Sequence, residues 1–251
     1  VKKLSLVIIT YNEERNIERC IRSVLDVADE IIVVDSFSSD KTPQICKNYN
    51  VRFYQRKWEG YSNTKNYANS LSTNNYIFSI DADEALSEEL KTSIIQAKAK
   101  GFKGAYQMNR LTNYCGKWIK HGSWYPDKKI RIWNKKQGQW EGGIHEKIVF
   151  AENIKIQQLN GDLLHYSYYS LEDHYRQIDK FTSLSAEELL QKGKKYSKAK
   201  ELSSAIAKFI KDYVFFAGFL DGKAGFRIAR LSAKATAMKY KKLKKLLQKH
   251  K

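Results

Sequence analysis

The 251-residue sequence predicts an α/β fold: a mostly parallel sheet with helices on both faces, followed by a C-terminal helical extension. Three observations predict it. Apolar, β-branched runs alternate with amphipathic stretches through roughly the first hundred residues. Each of the first, second and fourth of those runs ends in polar or acidic residues, and from Ser170 onward the chain reads as helices.

"LSLVIIT" is the first strand, and Ile17, Ile21, Val24 and Leu25 lie on one face of a helix from about Glu13 to Leu25. "EIIVVDS" is the second strand. Asp40 as N-cap and Pro43 in the first turn then predict a helix through Tyr49. "VRFYQR" is the third strand, Tyr61 to Leu71 a helix and "NYIFSID" the fourth strand. Ser87 caps the next helix, whose first turn carries Glu88 and Glu89, where the helix dipole favours them. Such β-α repetition requires parallel strands joined by crossover helices. From about Ala105 to Tyr168 the alternation gives way to aromatics, glycines and short β-like runs, read as strands and loops over one end of the sheet. Ser170 and Asp173 form a capping box, and the helices that follow are interrupted near Gly193 and Gly218–Gly225. The expected division is a catalytic domain over 1–168, with halves 1–104 and 105–168, and a basic helical extension over 169–251.

Lys and Arg number 45 against 27 Asp and Glu, a net charge of +18 that calls for an anionic partner. No nucleic-acid-binding motif accompanies the charge, so nucleic acid is not expected. Cys20, Cys46 and Cys115 form no CxxC pair, which argues against a zinc site or disulfide framework and for reduced, cytosolic thiols. The apolar run after "VKK" is short and followed at once by acidic residues, so it reads as a strand rather than a signal peptide. No segment reaches the roughly eighteen uncharged residues a membrane span needs.

In parallel sheets of this kind ligands bind at the carboxyl ends of the strands. Here those ends are Thr10 to Glu13, Asp35 to Asp40, and Asp81 to Glu84. Three carboxylates crowded at the tip of the fourth strand cost free energy unless a positive group compensates them. Asp81 and Asp83, two apart, can converge on one hard cation; Mg2+ and Mn2+ commonly share such ligands with substrate phosphates. A cation so placed neutralises a departing diphosphate. The bland alternative is a solvated acidic turn before a helix. A phosphatase of the haloacid-dehalogenase type would carry its acidic pair after the first strand, which this chain does not.

"VIITYNEERNIERCIRSVL", "EIIVVDSFSSDKT" and "YIFSIDADE", in this order, resemble family 2 glycosyltransferases of the GT-A fold. With "IHEKI" and "FFAGFLDGKAGF", the whole chain is similar to the lipopolysaccharide-core glucosyltransferase subfamily. The resemblance implies a UDP-sugar donor, UDP-glucose in that subfamily, a divalent cation and inversion at the anomeric carbon. Carried over by position, Thr10, Tyr11 and Glu13 would line the nucleotide pocket. Asp35 would bond the uracil or ribose, and Asp40 would lie nearby or merely cap its helix. Lys65 would meet the base or diphosphate, or be a solvated helix lysine. Asp81 and Asp83 would hold ribose and metal, Asp83 being the firmer metal ligand.

An inverting displacement needs one base to take the acceptor hydroxyl's proton. "EGGIHEKI" offers Glu141, His145 and Glu146; Glu146 is the expected base, with His145 orienting it or approaching the metal, and Asp127 is the second choice. His121, Trp124 and Tyr125 form either an acceptor platform or ordinary core. The acceptor would be a lipopolysaccharide core or another lipid-linked glycan. The tail "MKYKKLKKLLQKHK" carries a stripe of Leu243, Leu246 and Leu247 among lysines. With the aromatic run before it, the tail reads either as an anchor on the anionic cytoplasmic face of the inner membrane or as helices packed on the domain with a solvated lysine face. Two other classes compete: a non-catalytic polyanion- or membrane-binding protein on a transferase scaffold, and a sugar nucleotidyltransferase. The latter would need a glycine-rich phosphate loop after the first strand, where "TYNEERN" has no glycine.

Overall fold

The structure, a computed structural model, describes residues 2–143 and 146–249. In chain order its elements are β1 (Leu4–Thr10), α1 (Ile17–Val24), β2 (Glu30–Asp35), α2 (Thr42–Lys47), β3 (Arg52–Gln55), α3 (Tyr61–Ser70) and β4 (Tyr76–Asp81). Then come β5 (Glu84–Leu86), α4 (Glu88–Ala99), β6 (Ala105–Tyr114), β7 (Lys117–Ile119), β8 (Asp127–Asn134), β9 (Gly138–Glu141), β10 (Lys147–Phe150) and β11 (Ile156–Tyr168). Three long helices close the chain: α5 (Leu171–Gln191), α6 (Lys198–Ile210) and α7 (Gly222–Lys249).

The main sheet runs β3-β2-β1-β4-β8-β6-β11-β5. Its first four strands are parallel, and antiparallel β8 is added beside β4. Period-two alternation splits the strands between two cores. Leu4, Leu6 and Ile8 of β1 join Phe78 and Ile80 of β4 under Ile17, Ile21, Leu90 and Ile94 of α1 and α4. Val7, Ile32 and Ile77 join Ala68 of α3, Trp133 and Trp140 in the other cluster. Both faces of the parallel strands are buried, as crossover connections require. This is the α/β architecture, parallel strands with helices on both faces, that the sequence predicted.

One local boundary departs from expectation for a physical reason. Helix α1 begins at Ile17 rather than near Glu13, because residues 12–14 are tied across to the β2–α2 loop. The Asn12 amide donates to Ser38 Oγ (2.8 Å), that of Glu13 to Thr42 Oγ1 (2.8 Å) and that of Glu14 to Asp40 Oδ2 (3.0 Å). Asp40 also accepts from the Thr42 amide at 2.9 Å, so it serves the start of α2 and the neighbouring loop together. Ser87 and the Ser170–Asp173 box cap α4 and α5 as expected.

The chain divides into two compact units, Val1–Arg110 with Lys128–Tyr166, and Leu111–Asp127 with Ser167–Lys251. The sequence placed 111–127 with the sheet. Its grouping with the helices follows from its bonds: the Lys120 and His121 amides donate to Asp221, Lys117 Nζ to the Asp221 carbonyl, and Ser123 Oγ to Asp212. In that second unit Leu243 and Tyr240 are buried with Ala186, and Leu246 and Leu247 pack against them. The tail's apolar stripe therefore faces α5. Lys242 bonds Asp179, Lys241 lies 3.8 Å from Glu201, and Lys244 stands over Tyr196. Of the two tail readings, packing describes residues 239–249. No described helix is long and apolar enough to cross a membrane.

Candidate active site

In the first unit, the carboxylates at the end of β4 are compensated by cations of the chain itself. Lys65 Nζ lies 2.8 Å from Asp81 Oδ1, and Arg131 Nη2 donates to Asp81 Oδ2 at 2.9 Å. Although burial opposes the charge, Lys65 and Arg131 hold the Asp81 carboxyl well below the usual range. Arg131 Nη2 also donates to Glu84 Oε1 (2.6 Å), the Asp81 amide to Glu84 Oε2 (3.0 Å), and Arg110 stands 3.6 Å from Glu84. Lys65 is 2% exposed, which rules out a solvated helix lysine. Its Nζ donates to Glu146 Oε1 as well (3.0 Å) and lies 4.6 Å from the Trp140 ring centroid. One lysine thus bridges the first aspartate of the pair and the expected base.

Asp83 has a different partner. Its Oδ2 is 3.1 Å from His165 Nε2, and its carbonyl accepts the Tyr166 amide at 2.9 Å. The β5–β11 ladder sets this, pairing His165 with Glu84. Burial raises the Asp83 carboxyl, but His165 outweighs it and the net shift is downward. Among the described residues no three His, Cys, Asp or Glu side chains gather as a metal-binding group. Asp83 with His165 nevertheless supplies one carboxylate oxygen and one imidazole nitrogen. That donor pair would suit Mn2+ better than the oxygen-preferring Mg2+, completed by diphosphate and water oxygens.

The first two strand ends line the same edge. Thr10 is buried, and its Oγ1 has no hydrogen-bond partner among the described residues. Tyr11 is 60% exposed, leaving its ring free to stack on a planar group. Asp35 is fully buried and accepts from the Ser38 amide and hydroxyl and from Gln55 Nε2 (3.1 Å). It shapes the loop after β2. Hydrogen bonds from Thr42 and the Glu14 amide, opposing burial, lower the Asp40 carboxyl.

Burial pushes the Glu13 carboxyl up to about 7; the hydrogen bond from Asn16 opposes this and the Asp83 and Asp40 charges add to it. Native Glu13 therefore keeps its proton from the unfolded value of 4.5 up to about 7. The stability this contributes is complete below 4.5 and lost as pH rises through 7. Glu13→Gln should flatten the fall in urea midpoint across that interval in metal-free protein. Superimposable wild-type and variant profiles would show that Glu13 ionises freely in the fold.

Other expected residues are placed elsewhere. Glu141 is exposed at the end of β9, bonded to Gln139 (3.1 Å). His145 lies outside the described residues. Asp127 opens β8 and belongs to the second unit. His121 Nδ1 is 3.2 Å from Asp221, and Trp124 is stacked on Tyr168 (5.3 Å) and edge-on to Tyr114 and His174. Trp124 thus belongs to an aromatic core, because Tyr114, Ile119 and Ile228 need a cover. Tyr125 follows it directly after a short 3-10 turn. His165, Arg131 and Arg110 were not anticipated.

The sequence matches the family described as "Glycosyl transferase family 2" over residues 5–154. An uncharacterized glycosyltransferase of Rickettsia typhi is 35% identical over 258 residues, covering 98% of this chain and 88% of that protein. The lipopolysaccharide core biosynthesis glycosyltransferase LpsC of Rhizobium meliloti is 27% identical, covering 76% of this chain and 73% of that protein. Among solved structures, S. aureus TarS 1-349 is 15% identical, with a TM-score of 0.47, covering 99% of this chain and 92% of that one. With a family match across more than half its length and relatives spanning nearly all of it, the chain belongs to glycosyl transferase family 2.

Proposed function

We propose that the protein transfers a sugar from a UDP-sugar, UDP-glucose first among them, to a hydroxyl of a lipopolysaccharide-core or other lipid-linked glycan, inverting the anomeric centre. The observation that carries this reading is the pair Asp83–His165 beside an Asp81 already neutralised by Lys65 and Arg131. Asp81 and Glu84 have their counter-ions, whereas Asp83 and His165 supply donors that a divalent cation would take. When bound, that cation offsets the charge of the leaving diphosphate. The uncommitted Thr10 hydroxyl and the exposed Tyr11 ring support nucleotide binding at the end of β1. The name of the Rhizobium relative supports the choice of acceptor. Such a reading carries with it a location at the cytoplasmic face of the inner membrane.

Glu146 is the base in this reading: its carboxylate takes the acceptor proton as the acceptor oxygen attacks the anomeric carbon and UDP departs. Its bond from Lys65 fixes the orientation of that carboxylate. Glu146→Gln keeps an acceptor for Lys65 but cannot take the proton. It should lower kcat on the order of a hundredfold or more while leaving donor KM unchanged. If Asp127→Asn shows that split and Glu146→Gln does not, Asp127 is the base. Calorimetric titration of UDP and GDP with and without Mn2+ tests the donor assignment. GDP binding as tightly as UDP would overturn it.

A further inference from the structure

In the second unit, a π-helical turn and a 3-10 turn (residues 211–221) join α6 to α7 and expose an apolar ridge. Leu202, Ile206 and Ile210 recur every four residues along α6, Leu202 being 62% exposed, and Val214 extends the stripe. Phe215, 77% exposed, continues it into the turn with Phe219 and Leu220. Exposed large apolar groups lying this close together mark an interaction surface rather than chance exposure. Internal packing does not cover it: Phe209, Tyr213 and Phe226 pack on one another, and Phe219 touches Tyr213 edge-on yet stays half-exposed.

Beside the ridge is an open cavity of about 460 Å³ that includes Tyr175, Tyr213, Lys223, Phe226, Arg227 and Arg230. Lys223, Arg227 and Arg230 stand at i, i+4 and i+7, on one face of α7. Among the described residues no carboxylate forms a salt bridge with any of the three. Elsewhere in this unit, Lys208, Lys241 and Lys242 each have one. Like charges at this spacing repel, so an anion from outside the chain would stabilise the cluster. Apolar side chains flanked by uncompensated cations complement the interface of an anionic bilayer, where acyl chains and phosphates lie a few ångströms apart in depth.

We infer that the α6–α7 elbow docks on an anionic phospholipid bilayer, the ridge entering the acyl boundary and the Lys223–Arg227–Arg230 cavity receiving a lipid phosphate. This moves the membrane contact from the terminal lysines, whose leucines are buried against α5, to a surface 25 residues or so upstream. It does not depend on which sugar or nucleotide the active site takes.

Flotation of the full chain with phosphatidylcholine vesicles, with and without about one-third phosphatidylglycerol, tests the inference. Binding is expected on the anionic vesicles and should fall about tenfold or more in Arg227→Glu/Arg230→Glu and in Phe215→Ser/Leu220→Ser. The control Arg227→Lys/Arg230→Lys should bind as wild type does. All these side chains are exposed, so Tm should hold, and solution titration of UDP should be unchanged; loss of UDP binding in the wild type would count against the proposed activity only. Wild-type binding by both disruptive variants, or equal binding to neutral vesicles, overturns the inference. So does soluble glycerol phosphate binding at Arg227 with no gain from vesicles, which would make the cavity a free-phosphate site. A dimer that Phe215→Ser/Leu220→Ser dissociates, in protein that ignores vesicles, overturns it in favour of a second copy of the chain.

Discussion

Asp83→Ala is expected to abolish sugar transfer and to remove the Mn2+-dependent part of UDP binding, while Tm stays within a few degrees of wild type. The side chain is partly exposed at the end of β4 and its side-chain partner among the described residues is His165, so its loss opens no cavity in either apolar cluster. Removing one of several crowded carboxylates also relieves repulsion, since the Asp81 charge raises the Asp83 carboxyl. In the proposed reading, what disappears is the carboxylate of the donor pair with His165, which would hold a divalent cation against the diphosphate charge. His165→Ala should weaken metal-dependent binding in the same direction and less severely. Normal turnover by Asp83→Ala would end the metal assignment, whatever the UDP titration showed.

Arg131→Met is expected to act the other way, on stability first. Arg131 is 3% exposed and is the shared partner of Asp81 and Glu84. Without it Glu84, whose side chain is fully buried, keeps the Asp81 amide and, as a counter-ion among the described residues, the more distant Arg110. Breaking one side of a buried ion pair typically costs about 3–5 kcal/mol, because the remaining charge is stranded. At this chain length that is a fall in Tm of roughly 6–20 °C. Arg131→Met with Glu84→Gln should recover part of the loss, since the double variant strands no charge at position 84. A single variant as stable as wild type, measured by thermal melts at neutral pH, would mean that water reaches Glu84.

The parts of this fold that could be read in advance are those that short stretches specify. The β-branched runs of β1, β2 and β4 carry their own period, and Ser87 and Ser170 announce their helices through bonds spanning three residues. The site was half legible for the same reason: strand ends can be found once strands are found. His165 was missed because nothing local distinguishes it within "LLHYSY"; 82 positions separate it from Asp83, and only the β5–β11 ladder brings the two together. Arg131, 50 positions from Asp81, was missed likewise, as was β5, whose three residues read as an approach to α4. The tail leucines left two readings open for a related reason. An amphipathic stripe looks the same whether it meets a bilayer or another helix, and only α5 decided between them.

The contact between Arg131 and Glu84 also governs how such a chain can vary over descent. Any lineage that changes one of these positions alone passes through a form with a stranded buried charge and a large loss of stability. The two are therefore free to drift only together, or after a third change has supplied a new counter-ion. Leu202 and Phe215 carry no such lock on the folded state, and substitution there is limited only by what the exposed surface meets. Mutational tolerance should accordingly be lowest beneath the end of β4 and highest along the elbow's exposed ridge, and a selection for stability alone would leave Leu202 and Phe215 unconstrained.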